Sequence, residues 1–194
     1  MTAGAILRRV AAIIAVVGVA CVGRRGNGAD VGLVSLFDGE RTGVVGASQF
    51  LNSWGGGFSP GNIVGVARDP TVARSGVASV RADLGTIASG GFGFFQTFAG
   101  EIAGPALRQT RDMTRYERFE AYVRNDTGAA LNLVYEIKDY RDSNSHRAQR
   151  TFSIPAGAGW TKIEASLAGG LAGWTIDGTP DLSRTYINSF VVSP

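Results

Sequence analysis

The chain has 194 residues, with 19 Lys and Arg against 16 Asp and Glu, a formal charge of +3. That length suits one domain with a substantial core, and 44% apolar with 18% charged residues excludes a disordered chain. One Cys excludes an internal disulfide framework, and one His excludes a His-rich metal site.

Residues 1–29 hold Arg8, Arg9, Arg24 and Arg25 and no acid. A positive start followed by the apolar run 10–22 predicts an export signal with a helical h-region, too short before Arg24 for a stable span. Two cleavage patterns fit. Gly18-Val19-Ala20 before Cys21 resembles a lipoprotein signal ending at Ala20, with Cys21 lipidated, although Gly18 stands where an aliphatic residue is usual. Ordinary cleavage near Ala29 is the other, leaving residues 30–194 as the working domain. Those residues keep 15 of the 19 basic side chains beside all 16 acids, a net of −1. The basic balance belongs to the leader, and nucleic-acid binding loses its electrostatic motive.

Beyond the leader, alternation dominates. Ala78, Val80, Ala82 and Leu84 alternate with Ser79, Arg81 and Asp83. Residues 91–98 form an aromatic run. Phe119, Ala121 and Val123 alternate with Glu120, Tyr122 and Arg124, and Leu131, Leu133, Tyr135 and Ile137 with Asn132, Val134, Glu136 and Lys138. Phe152 and Ile154, then Ile163, Ala165 and Leu167, continue the pattern, and residues 186–192 form a last strand. Breaks are expected at Gly55-Gly56-Gly57, Ser89-Gly90-Gly91, a hairpin turn at residues 125–128, a polar turn at 143–145 and residues 155–159. Seven or more short strands predict an all-β antiparallel sandwich with little helix.

Several motifs then resemble a known family. Val34-Ser35-Leu36-Phe37-Asp38-Gly39-Glu40, Trp54, Ser75-Gly76-Val77-Ala78-Ser79-Val80-Arg81, Gly159-Trp160-Thr161-Lys162-Ile163 and the run 181–190 follow the order found in galactose-binding-like jelly rolls used as carbohydrate-binding modules. The resemblance implies a jelly-roll sandwich, a glycan partner and a structural calcium. The calcium would sit on Asp38, Glu40 and Asn188, where Asn188 replaces the usual acid and calcium accepts amide oxygens.

Sugar recognition needs apolar faces for ring C–H groups and polar groups for hydroxyls. Glu120, Tyr122, Arg124, Glu136, Lys138, Tyr140 and Gln149 (with Thr151) occupy polar positions of the central strands, and form one binding face if those strands adjoin. The alternative is a wet sheet face with cross-strand ion pairs such as Glu120 with Lys138. Trp174 lies in a glycine-rich loop and is a further ligand candidate, against a core-packing alternative shared with Trp54 and Trp160. Asn125-Asp126-Thr127 fits a glycosylation acceptor. No nucleophile elbow accompanies His146, and no nucleotide-binding glycine motif is present. The expectation is a secreted or lipid-anchored, monomeric, non-catalytic glycan binder, touching a membrane only through Cys21. Its rivals are an envelope interaction protein and a polysaccharide lyase or hydrolase using Glu120 and Glu136.

Overall fold

A computed structural model of the chain describes residues 12–23, 34–37, 54–59, 63–84, 91–98, 112–139, 146–185 and 187–193. They form strands β1 (Ala12–Gly23), β2 (Val34–Phe37), β3 (Trp54–Ser59), β4 (Ile63–Asp69), β5 (Ser79–Leu84) and β6 (Phe92–Phe98). After a single 3-10 turn at Met113–Arg115 come β7 (Tyr116–Asn125), β8 (Leu131–Lys138), β9 (Arg147–Ile154), β10 (Gly157–Ser166) and β11 (Thr175–Asp177). A second 3-10 turn, Leu182–Arg184, precedes β12 (Ile187–Ser193). Among the described residues these two turns are the whole helical content, and no helix is long and apolar enough to cross a membrane.

The strands assemble into two antiparallel sheets. The first runs β10-β7-β1-β5-β4, with β2 beside β1, and the second runs β11-β9-β8-β12-β6-β3. Their apolar faces share one core. Val80, Ala82, Phe119, Ala121, Val123, Ile163 and Ala165 from the first sheet meet Leu133, Tyr135, Ile137, Ala148, Phe190 and Val192 from the second. Phe119 stacks on Tyr135 at 3.7 Å between centroids, and Phe190 packs within 5.3 Å of Tyr135. Alternation along each strand therefore selects the inward face, as period-two patterning requires.

Four local expectations change. Ala12–Gly23, expected as a signal helix, is an extended strand paired with β5 on one side and β7 on the other. Its run of Ile13, Ile14, Val16, Val17, Val19 and Val22 is β-branched, which suits a central strand. Gly55-Gly56-Gly57, read as a break, lies inside β3 and pairs with Gln96, Phe95 and Phe94 of β6. Glycine weakens a strand but is tolerated at a sheet edge, where β3 sits. Residues 126–130 do not close a hairpin, because β7 and β8 belong to different sheets. Residues 155–159 do not fully break the chain: β10 begins at Gly157, with a register shift before Trp160.

Candidate functional site

The backbone register of the second sheet aligns three rows of residues, with Glu136, Lys138, Arg147 and Gln149 on the side away from the core. The middle row crosses all six strands as Gly55, Gln96, Ser189, Glu136, Gln149 and Thr175. One flanking row carries Gly57, Phe94, Val191, Val134 and Thr151. The other carries Phe98, Ile187, Lys138, Arg147 and Asp177. At about 5 Å between strands, the middle row is about 24 Å long. Hydrogen-bonding and glycine positions thus make up the middle row, with a largely apolar row along one side.

Glu136 is the charged centre of this face. It is only 3% exposed although it points away from the core. Isolated burial of a carboxylate is costly, so it must be paired. Lys138 Nζ lies 2.9 Å from Glu136 Oε2, Arg147 Nη1 lies 3.7 Å from Oε1, and the Gln149 amide donates to Oε1. Arg147 Nε donates to Asp177 Oδ2 at 3.1 Å. One strand away, the fully buried Ser189 hydroxyl has no hydrogen-bond partner. The Ser79 hydroxyl of β5 in the first sheet is likewise fully buried and without a partner.

The first sheet presents a different surface. Glu120 receives Arg118 Nε at 2.5 Å and Lys162 Nζ at 3.1 Å, and Lys162 also reaches Glu164 at 2.7 Å. Burial opposes ionisation of Glu120, but the Lys162 and Arg118 hydrogen bonds outweigh it and hold the carboxyl below its ordinary range. Glu164 and then Glu120 raise the Lys162 ammonium. Arg124 is tied to Asp126 at 2.7 Å. The Tyr122 ring is capped by the Arg74 guanidinium, 3.4 Å above its centroid, in a cation–π contact.

The predicted binding residues therefore separate. Glu136, Lys138 and Gln149 come together on the second sheet, whereas Glu120, Tyr122 and Arg124 lie on the opposite outer surface. Strand adjacency in sequence suggested one face, but the connection after Asn125 passes between sheets. The Glu120–Lys138 ion pair does not form: Glu120 takes Lys162, and Lys138 takes Glu136. Nor can Glu120 and Glu136 flank one glycosidic bond. Trp174 is a core residue, 8% exposed, with Nε1 donating to Ser166 O at 2.6 Å and its ring edge-on to Tyr135 at 5.8 Å. Tyr140, Asp38 and Glu40 lie outside the described residues. Asn188 is in register with Thr97 and Ile137, and among the described residues no three His, Cys, Asp or Glu side chains are grouped to hold a metal.

Sequence reasoning missed Ser189, Arg147 and Asp177. Ser189 was legible as the polar position between Asn188 and Phe190 on a recognised strand. Asp177 was not, because β11 is three residues long and its pairing to β9 is a tertiary fact. No family model matches the chain, and neither the curated proteins nor the solved structures contain a match.

Proposed function

We propose that this chain is an exported, non-catalytic glycan-binding module on a jelly-roll type sandwich, with its ligand on the outer face of the second sheet. The observation that carries the reading is the cluster of Glu136, Lys138, Arg147 and Gln149, which would floor a binding furrow along the middle row. A carboxylate accepts from sugar hydroxyls, an amide and an ammonium donate to them, and such groups bind through water as readily as directly. Phe94, Val134 and Val191 stand along one side of the furrow for ring C–H contact. Consecutive strands repeatedly change sheets, as in β5 to β6, β6 to β7, β7 to β8 and β9 to β10, which favours jelly-roll connectivity over a meander.

Export rests on residues 1–29, whose arginines precede and follow the apolar run. Both processing routes stay testable together. Expression in a bacterial host and sequencing of the mature N-terminus distinguishes a start at Cys21 from one near Asp30, and Cys21→Ala removes membrane partitioning only in the first case.

Binding is tested by retardation of the purified protein in gels containing soluble plant, algal and microbial polysaccharides. Gln149→Ala removes the amide donor from the furrow and is expected to weaken retardation at least tenfold. Absence of retardation by every polysaccharide would end the glycan reading.

A further inference from the structure

We propose that the furrow selects an uncharged glycan and rejects uronate-rich or sulfated chains. The inference rests on the glycan reading above and concerns the same face. Its basis is charge compensation. The two cations there, Lys138 and Arg147, are each held against carboxylates, Lys138 on Glu136 and Arg147 between Glu136 and Asp177. Two positive and two negative groups leave the quartet neutral. No described cation on these three rows stands without a carboxylate partner, so an anionic group would meet the half-exposed Asp177 carboxylate without a free guanidinium or ammonium to receive it.

A neutral polyol meets no such penalty. Its hydroxyls donate and accept together, so one can insert between the Gln149 amide and Glu136 while keeping both satisfied. Carboxylate and sulfate recognition, by contrast, uses forked or multiple cationic donors, and both cations of the quartet are already engaged. The side chains of the quartet and Gln149 span β8, β9 and β11, so a chain of sugars fits better than one.

The test compares retardation by neutral polymers (xyloglucan, galactomannan, mixed-linkage β-glucan) with retardation by anionic ones (polygalacturonate, alginate) at low and high salt. The expected result is binding to at least one neutral polymer, unchanged by salt, with affinity for anionic polymers at least tenfold lower. Asp177→Asn, at a side chain that is half exposed, leaves Arg147 without its nearer carboxylate. It is expected to gain salt-sensitive binding to polygalacturonate. Glu136→Gln is the stronger form of the same change, and Asp177→Asn carries the test if that buried substitution does not fold. Wild-type preference for the anionic polymers would overturn this inference while leaving glycan binding intact. Failure to bind either class would overturn the glycan reading itself, and this inference with it.

Discussion

Asn125 fixes the passage between sheets with one side chain. It has no exposed surface, and its amide nitrogen donates to Ala129 O at 2.9 Å, Pro155 O at 3.1 Å and Ile154 O at 3.2 Å. Its Oδ1 accepts from Thr127 N at 2.9 Å. The Asn-Asp-Thr pattern that reads as a glycosylation acceptor is thus consumed by the fold, because a modified amide has no room and no free hydrogen. Asn125→Ala strands several backbone groups and is expected to cost about 2–4 kcal/mol, read from the urea midpoint at constant slope. A loss below about 1 kcal/mol would show that these contacts are incidental. Asp69 carries a pH dependence of its own. Burial disfavours its charge, but the Thr71 hydroxyl at 2.5 Å, the Thr71 amide at 2.8 Å and Arg81 outweigh that and hold its carboxyl below the ordinary range. A depressed folded value means that the contribution is present above the unfolded carboxylate pKa and is lost as pH falls through the folded one. Thr71→Ala weakens the depression. It is expected to lower stability at neutral pH by about 1–2 kcal/mol and to narrow the gap from wild type as the solution is acidified below about pH 4. A gap that stays constant with pH would place the effect elsewhere.

At the scale of elements, local alternation was enough to locate β5, β7, β8, the end of β9, β10 and β12 and to say which face of each is buried. It could not say which strands adjoin, since period two is the same in either sheet. Trp174 illustrates the other limit. The loop that carries it turns through Gly169, Gly170 and Gly173 at positive φ, and that turn places the ring beneath Tyr135. A Cβ on Gly173 would lie 2.5 Å from Arg150 Nη1, which itself donates to the Gly173 carbonyl. Gly173→Ala therefore combines backbone strain with displacement of Arg150. It is expected to cost about 1–3 kcal/mol and to increase Trp174 fluorescence quenching by acrylamide. Unchanged quenching would mean that the ring is held without this turn. β1 is the element on which leader and strand readings collide. Cleavage near Ala29 removes a strand paired on both sides, leaving β5 and β7 with open edges unless another segment enters. Val34–Phe37 already lies along β1 and is apolar enough to take its place. On the export reading, residues 30–194 produced alone unfold cooperatively, with the amides of Val34–Phe37 and of Tyr116–Asn125 protected from hydrogen exchange. Exchange of the Tyr116–Asn125 amides at unfolded rates would identify β1 as a permanent strand and remove the leader from the proposal.

Across the whole molecule, the two outer surfaces carry different side-chain networks. The first sheet's surface is knitted by a chain of pairs from Arg118 through Glu120 and Lys162 to Glu164, and its tyrosine is already covered by Arg74. Exposed pairs of this kind contribute little each, typically below about 1 kcal/mol. The second sheet's surface gathers Glu136, Lys138, Arg147, Gln149 and Asp177 into one network, while each sheet has one buried carboxylate beside an unpartnered serine hydroxyl, Asp69 with Ser79 and Glu136 with Ser189. The sequence pattern put residues from both surfaces on one imagined face, because side chains of alternating polarity look alike until a connection is known to cross the core. The separation makes a sharp prediction. Tyr122→Ala and Arg74→Ala, singly or together, are expected to leave polysaccharide retardation within twofold of wild type and to lower stability by about 1 kcal/mol or less. Gln149→Ala, whose side chain is half-buried on the other surface, is expected to weaken retardation tenfold and, by removing a donor from the buried Glu136 carboxylate, to lower stability by about 1–3 kcal/mol. Retardation lost on removing Tyr122 or Arg74 and retained without Gln149 would move the binding surface to the first sheet. Two binding surfaces would show as partial loss in both variants and additive loss when they are combined.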